Sequence, residues 1–287
     1  MTQIAGYTLH SIETGRFRLD GGAMFGIVPK PLWERRIPAD ERNRIPLAMR
    51  CLLLRGHERV ILIDNGIGDK LSEKMIDIYG VDFREYELRR SLAEQGVTPE
   101  DVTDVILTHL HFDHCGGSTR YEGGRLVLTF PHARHYVQRT HWEWATHPNL
   151  REKASFIREN ILPIQEYGKL VLVDGDIELF PGVHVHVVNG HTRGQQIVRI
   201  HDEENTLLFM GDLVPTHAHI PLVWIMAYDI EPLVTLEEKQ RWLEEALAGQ
   251  WHLFLEHDPS IEVINLEEGS RGFQMVHPRA LAELHNV

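Results

Sequence analysis

Cysteine, long apolar runs and secretory features are scarce in this 287-residue sequence. Only Cys51 and Cys115 are present, too few for a disulfide framework or a zinc site built from four cysteines. The most apolar stretch, 220–228, has about half the length of a membrane-spanning helix and contains a proline. Residues 1–19 lack the apolar segment of a secretory leader. We therefore expect a cytoplasmic protein with no membrane partner.

Basic residues are also outnumbered, with 29 Lys and Arg against 42 Asp and Glu and a formal net charge of −13. Nucleic acids and anionic membranes bind clustered Lys and Arg, so this balance argues against both as partners. The composition is that of a globular protein, with 43% hydrophobic residues. Because no Pro-, Gly- or Ser-rich linker divides the chain, we expect a single domain over residues 1–287.

Short apolar runs alternate with amphipathic segments, which indicates an α/β fold. Residues 59–64 predict a buried strand closed by a turn at 65–66, and helical spacing of apolar residues follows over 71–78 and 88–92. A further helix is predicted over 150–161 from apolar residues spaced four, three and four apart. Thr235 and Glu238 fit a capping box that opens the last long helix.

Histidine is the residue type in excess, with 19 copies. The densest cluster follows the apolar strand 105–107 and reads His109-x-His111-x-Asp113-His114. Four ligand-type side chains within six residues allow two pairs to face neighbouring points in space, and the two glycines that follow permit a sharp turn. Imidazole is the commonest metal ligand in proteins, so this cluster predicts a metal site.

The same pattern recurs three times downstream. The strands 183–188, 206–210 and 253–255 end at His191, Asp212 and His257 respectively. In α/β proteins the carboxyl ends of strands form the functional site, so we expect these side chains to join the first cluster. Seven ligands exceed the four of a tetrahedral zinc and suit two metal ions that share a carboxylate.

This arrangement resembles the metallo-β-lactamase-fold hydrolases from Asp64 to His257. The resemblance implies an αββα sandwich, in which two mixed sheets carry helices on both outer faces. It implies that His109, His111 and His191 bind one metal, that Asp113, His114 and His257 bind the other, and that Asp212 bridges them. Asp64 matches a position that orients ligands by hydrogen bonds, although a simple turn-capping role before Asn65 explains it equally well.

Segments 21–30, 211–216, 224–229 and 256–259 are similar to the branch that contains quorum-quenching N-acyl-homoserine lactonases. That branch carries a tyrosine three residues after the bridging aspartate, where this chain has Pro215. His217, His219 or Tyr228 then has to supply the hydrogen bond to the substrate carbonyl. Segment 20–48 predicts a long loop over the active site, from which Met24 and Phe25 either cover an apolar acyl group or pack in the core.

The resemblance implies a dinuclear hydrolase that cleaves a lactone or carboxylic ester by attack of a metal-bridging hydroxide. Asp113 would shuttle the proton to the leaving group, and Asp212 would fix the metal spacing. Zinc is favoured as the metal, and iron, manganese or cobalt also suits these donors. Two alternatives stay open: a dinuclear phosphodiesterase or phosphotriesterase, and a non-catalytic metal-binding protein. Trp142 and Trp144 belong to a pocket rim, a helix packing surface or a homodimer contact.

Overall fold

Two seven-stranded sheets form the centre of the computed structural model, which describes residues 2–270 and 272–284. In spatial order, the first sheet contains β1 (Gln3–Ile4), β2 (Tyr7–Asp20), β3 (Arg44–Gly56), β4 (Arg59–Ile63), β5 (Asp104–Ile106), β8 (Arg134–Gln138) and β9 (Leu170–Val173). The strands β6 (Thr119–Glu122) and β7 (Arg125–Leu128) form a separate hairpin. The second sheet contains β10 (Ile177–Phe180), β11 (Val183–Val188), β12 (Gln195–His201), β13 (Thr206–Phe209), β14 (His252–Phe254), β15 (Val263–Gly269) and β16 (Gly272–Arg279).

Eight α-helices and five short 3₁₀ turns connect the described strands. The helices are α1 (Gly21–Phe25), α2 (Lys30–Trp33), α3 (Glu73–Tyr79), α4 (Leu88–Glu94), α5 (Phe112–Cys115), α6 (Arg139–Thr146), α7 (Arg158–Glu166) and α8 (Pro232–Ala248). Among residues 2–270 and 272–284, no helix combines the length and the apolar character that crossing a membrane requires.

Both sheets are mixed. The pairs β4–β5, β5–β8, β8–β9 and β13–β14 are parallel, and the other paired strands of the two sheets are antiparallel. Successive side chains of a strand point to opposite faces of its sheet. In β4, Ile61 and Ile63 therefore pack into the core between the sheets, whereas Leu62 packs outward.

Helices cover both outer faces. Side chains of α4, α6 and α7, among them Leu92, Trp142 and Ile164, share a buried cluster with the outer face of the first sheet. Trp242 and Leu243 of α8 share another with the outer face of the second sheet. The order of layers is helix, sheet, sheet, helix, so the predicted αββα sandwich with two mixed sheets is confirmed.

The N-terminal segment 20–48 is more regular than the predicted loop. It contains α1 and α2, and its last residues already belong to β3. The Asp20 carboxylate caps α1 by accepting a hydrogen bond from the Ala23 amide at 2.9 Å. Short helices opened by a capping carboxylate leave a weak periodic signal in a sequence, which explains why a loop was expected.

The predicted helix over 150–161 is wrong for its first eight residues. Helix α7 begins only at Arg158, residues 150–155 form turns with Leu150 96% exposed, and residues 156–157 are irregular. Asn149 is the physical reason, because its side-chain oxygen accepts hydrogen bonds from the amides of Arg151 and Glu152. Such local bonds offer the backbone an alternative to the helix.

Helix α8 begins at Pro232, three residues before the predicted capping residue Thr235. Proline at the first helical position explains the earlier start, since its fixed φ suits a helix and its missing amide is not needed there. The Glu238 side chain does not form the predicted capping box. Its carboxylate instead accepts hydrogen bonds from the amides of Asn189 and Gly190, at 2.8–2.9 Å.

Candidate metal centre

The seven predicted ligand side chains converge in the structure, and all of them are buried. Four lie in the loop after β5 and in the short helix α5, and the other three follow β11, β13 and β14. Their ligand atoms form two groups, each with all atoms within 4.8 Å of one another. The first group is His109, His111, His191 and Asp212, and the second is Asp113, His114 and His257.

In the first group, nitrogen and oxygen atoms face a common point. Nδ1 of His111 lies 3.1 Å from Nε2 of His109 and 3.2 Å from Nε2 of His191. Oδ2 of Asp212 lies 3.1 Å from the same His191 nitrogen. A tetrahedral ion with bonds of about 2.0–2.1 Å separates its ligands by about 3.3 Å, so these spacings fit one divalent ion.

The second group is similar and meets the first at Asp212. Nε2 of His114 and Nε2 of His257 are 3.1 Å apart, and Oδ2 of Asp113 lies 3.8 Å from each. Asp212 also reaches this group, with Oδ2 at 3.4 Å from His114 and Oδ1 at 3.1 Å from His257. One carboxylate thus faces both groups, which is the geometry of a bridging ligand.

The chemistry of the donors supports cations at both points. Nδ1 of His257 donates to the Ala48 carbonyl at 2.8 Å, and Nδ1 of His114 lies 3.1 Å from a carboxylate oxygen of Asp64. When both rings are neutral, as a metal ligand must be, the two facing Nε2 atoms both carry lone pairs, and a cation between them removes the repulsion at 3.1 Å. A set of imidazoles and carboxylates suits zinc, iron, manganese or cobalt.

Asp64 connects the two groups through Thr108. Its carboxylate accepts hydrogen bonds from the Thr108 amide at 2.7 Å and the Thr108 hydroxyl at 2.6 Å. The Thr108 hydroxyl oxygen in turn lies 3.0 Å from Nδ1 of His109. Since Asp64 also contacts His114, one carboxylate orients a ligand in each group.

Three further acidic residues face ligand rings, and the sequence did not assign this role to any of them. Oδ1 of Asp229 lies 2.9 Å from Nδ1 of His191, and Oε2 of Glu256 lies 3.2 Å from Nδ1 of His114. Oε1 of Glu152 is more distant, at 3.6 Å from Nε2 of His111. Glu152 is buried and accepts a hydrogen bond from the Thr192 hydroxyl at 2.6 Å. Such partners fix the ring orientation of a ligand and raise its basicity.

The backbone that carries the ligands is held by a buried imidazole from α6. Nε2 of His141 accepts a hydrogen bond from the Leu110 amide at 2.8 Å, and Nδ1 donates to the Arg193 carbonyl at 2.8 Å. Leu110 lies between two ligands, and Arg193 is two residues beyond His191. His141 therefore joins the ligand loop of the first sheet to that of the second.

The electrostatics of the site favour positive charge. Burial opposes ionisation of Asp212, yet the imidazoles around it, with His114 first, hold its pKa well below the usual range. Burial likewise disfavours a charged His191, but Asp212 and Asp229 more than offset this and raise its pKa to about 10. The negative charge of Asp212 and Asp229, which raises the pKa of His191, also attracts metal cations to the site.

A cleft with a volume of about 190 Å³ opens onto the ligands. Residues outside the ligand set that line it include Leu19, Met24, Tyr79, Arg151, Met226 and Tyr228. The turn segment around Arg151 and Glu152 forms one wall, so the part of the chain that failed to form the predicted helix contributes directly to the site. Segment 20–48 reaches the cleft through Met24.

Of the five predicted substrate contacts, Met24 and Tyr228 line the cleft, whereas Phe25, His217 and His219 are not among the lining residues. Phe25 is fully buried and stacks between Trp33 and His219, with ring centroids at 5.3 and 4.7 Å. His217 instead forms a hydrogen bond from its ring to the Asp258 carboxylate.

The comparison with protein families agrees with this geometry. Residues 46–262, well over half of the chain, match the model of the Metallo-beta-lactamase superfamily. The chain belongs to this superfamily. This metallo-beta-lactamase superfamily member is 32% identical to a probable metal-dependent hydrolase from Staphylococcus aureus, with a TM-score of 0.87 over 97% of this chain and 100% of the other. The resemblance inferred from the ligand motifs is confirmed, and the chain is related to metal-dependent hydrolases.

Named lactonases are among the relatives of this superfamily member. An N-acyl homoserine lactonase from Bacillus cereus is 27% identical over 178 residues, which cover 58% of this chain and 64% of that enzyme. The chain thus spans just under two thirds of the length of this curated relative. A solved N-acyl homoserine lactone hydrolase, with N-hexanoyl-L-homoserine bound at its catalytic metal centre, is 25% identical with a TM-score of 0.67, covering 90% of this chain and 94% of that one.

Proposed function

We propose that the protein is a dinuclear metal-dependent hydrolase that cleaves a lactone or carboxylic ester, with an N-acyl-homoserine-lactone-like substrate favoured. The observation that carries the proposal is the pair of ligand groups that share Asp212 and open into one cleft. Met24, Met226 and Leu19 give the cleft an apolar wall suited to an acyl chain. The lactonases among the relatives support the same substrate class.

The proposal assigns His109, His111 and His191 to one ion, Asp113, His114 and His257 to the other, and Asp212 to both. When bound, the two divalent ions, zinc in the favoured case, polarise the substrate carbonyl and lower the pKa of a water molecule toward neutrality. Asp212 holds the two ligand groups at a fixed separation. Asp64, Asp229 and Glu256 keep ligand rings in their orientations.

Asp113 has the position of a proton carrier. Its carboxylate lines the cleft, and its Oδ2 lies 3.8 Å from the nearest ligand nitrogens, farther than the closest contacts within either group. A carboxylate in this place can receive a proton from the attacking water and deliver it to the leaving alkoxide. In the Asp113→Asn variant we expect at least partial metal occupancy and loss of most turnover. Full activity would remove Asp113 from the mechanism.

A small substrate panel tests the reaction class: an N-acyl-homoserine lactone, an aryl ester, bis-p-nitrophenyl phosphate and a phosphotriester, each with and without chelator. Turnover of the lactone or ester that chelation abolishes and added zinc restores supports the proposal. Turnover restricted to the phosphodiester or phosphotriester contradicts it and favours the alternative phosphoesterase. No turnover of any substrate by fully metal-loaded protein favours a non-catalytic role. A cytoplasmic location and a homodimer stay predictions.

A further inference from the structure

Tyr79 is a cleft residue that no sequence motif pointed to. It is the last residue of α3, which ends where Gly80 adopts the left-handed conformation with φ of 52°. Its ring stacks on Phe112, with centroids 5.0 Å apart and planes at 27°. Phe112 lies in the sequence between the ligands His111 and Asp113, so this stacking places the tyrosine beside the ligand loop.

The end of α3 is held firmly from the N-terminal segment. Nη1 of Arg44 donates hydrogen bonds to the Asp77 carbonyl at 2.8 Å and the Ile78 carbonyl at 3.1 Å. Arg42 adds a salt bridge to the Asp77 side chain at 3.0 Å. These bonds satisfy carbonyls that a helix end leaves without partners, and they fix the backbone directly before Tyr79. The phenol is thus positioned before any substrate arrives.

The Tyr79 hydroxyl makes no hydrogen bond with any residue that the structure describes, and the same is true of Tyr228, which also lines the cleft. By contrast, the hydroxyls of Tyr121, Tyr136 and Tyr167 each donate to a protein oxygen. A tyrosine hydroxyl, with an ordinary pKa of about 10, is a donor at neutral pH, and burial raises the pKa of Tyr79 further. Burial also raises the pKa of Tyr228, and Tyr79 is close enough to add to that effect.

Hydrolysis of a carbonyl or phosphoryl compound places negative charge on an oxygen of the reacting centre, and donors aimed at that oxygen accelerate the reaction. Neutral hydroxyl donors in the cleft lining are Tyr79, Ser155 and Tyr228. The cleft lining also contains Arg151, whose guanidinium already donates to the Ala227 carbonyl. Pro215 occupies the position of the expected tyrosine and has no side-chain donor. Its carbonyl accepts a hydrogen bond from the His257 amide at 3.1 Å.

We propose that the Tyr79 hydroxyl, together with that of Tyr228, donates a hydrogen bond to an oxygen of the reacting centre of the substrate. This inference rests on the proposed function and deepens it, because it names the donor that replaces the missing tyrosine at position 215. One donor then comes from α3 in the first half of the chain, and the other comes from the segment between the bridging aspartate and α8.

The test compares zinc-loaded Tyr79→Phe, Tyr228→Phe and the double variant with the matched control Tyr121→Phe, whose phenol donates to Glu159 on the surface. Removal of one donor of this kind lowers kcat by about 10²–10³-fold in well-studied cases, and we expect at least about tenfold for Tyr79→Phe. KM, zinc content and melting temperature should stay near wild type, and the control should keep full activity.

A second readout does not depend on turnover. Protein labelled with 3-fluorotyrosine gives a fluorine resonance for Tyr79, identified by its loss in Tyr79→Phe. Addition of N-hexanoyl-L-homoserine, the ring-opened product, should shift this resonance and leave that of Tyr121 in place. Unchanged kcat and kcat/KM in Tyr79→Phe, with no fluorine shift, would overturn the inference.

Failure of the proposed function gives a different pattern. If wild-type protein cleaves only phosphate esters, the lactonase proposal fails, and the fluorine titration is repeated with the phosphate product of the cleaved substrate. If no substrate in the panel is cleaved, inorganic phosphate is the probe. In either case a shift at Tyr79 supports contact with the reacting group, and its absence overturns that contact.

Discussion

The hydrogen bond between Asp229 and His191 offers a sharp test of how the site holds metal. The Asp229 carboxylate is almost fully buried and serves two N–H donors at once. Oδ1 lies 2.9 Å from Nδ1 of His191, and Oδ2 accepts from the Met226 amide at 3.1 Å. In Asp229→Asn the side chain has only one oxygen, so one of the two donors must face an NH₂ group.

Either outcome weakens the first ligand group. If the amide oxygen turns to Met226, His191 loses the acceptor that fixes its tautomer and leaves Nε2 free for metal. If it turns to His191, the loop that carries residue 229 loses its own anchor. Loss of such a partner typically weakens metal affinity by about 10–100-fold, which corresponds to about 1.4–2.8 kcal/mol.

The assay is a zinc titration against a chromophoric chelator, which resolves the affinity of each ion. Asp176→Asn is a matched control, because Asp176 also contacts a histidine, His186 at 3.1 Å, and accepts from the Val187 amide at 2.8 Å, but lies on the surface. We expect one zinc affinity to fall in Asp229→Asn and none in Asp176→Asn. Affinities within twofold of wild type for both ions would refute the reasoning.

Three further changes test other parts of the site. His109→Ala removes a ligand of the first group and should release metal, whereas unchanged metal content by elemental analysis would disprove the site. Burial lowers the pKa of His141 to about 3, so the unfolded chain binds a proton that the folded chain does not between about pH 3 and 6.5. As the pH falls through this range, the free energy of unfolding should decrease more steeply in wild type than in His141→Phe, with a difference in slope of up to about 1.4 kcal/mol per pH unit. Urea unfolding with chelator present measures both slopes, and parallel pH profiles would contradict the prediction. Lys239 is buried and donates hydrogen bonds to the carbonyls of Pro221, Leu222 and Trp224. Lys239→Met should therefore cost about 2–4 kcal/mol of stability and raise KM with metal content unchanged, while Lys239→Arg, which keeps a donor, should lose less stability. An unchanged KM in Lys239→Met would show that the loop over residues 221–224 does not shape the cleft.

The α/β class and the ligand positions were predictable from short-range patterns, and the αββα sandwich was predictable from the family resemblance that the ligand motifs carry. Each ligand directly follows an apolar strand, and strand ends converge at one side of a sheet whatever the details of the loops between them. The spacing of His109, His111, Asp113 and His114 is itself contained within six residues. Asp64 was also accessible, since it ends a recognisable strand.

The residues that support the ligands were not predictable in this way. Glu152 and Asp229 contact ligands 41 and 38 positions away in the chain, and His141 bonds to an amide 31 positions away. Nothing in the neighbourhood of such a residue marks its partner. Glu238 shows this clearly. Its spacing from Thr235 fits a capping box, yet its carboxylate accepts hydrogen bonds from the amides of two residues beside His191.

Helix periodicity failed where a side chain competes with the backbone. Residues 150–161 have apolar side chains at helical spacing, but Asn149 bonds the amides of Arg151 and Glu152 and delays the helix to Arg158. The turns that result place Arg151 and Glu152 in the cleft lining. In a helix over the same residues, the side chains of Arg151 and Glu152 would point in different directions.

The order of the strands has one more consequence. The first sheet uses residues 3–173 and the second residues 177–279, and the chain passes from one to the other through the exposed stretch 174–176. Each ligand group takes side chains from both portions. A protein cut between Asp174 and Asp176 should therefore give two fragments that the apolar core between the sheets holds together, and bound metal should strengthen their association because both ligand groups span the cut.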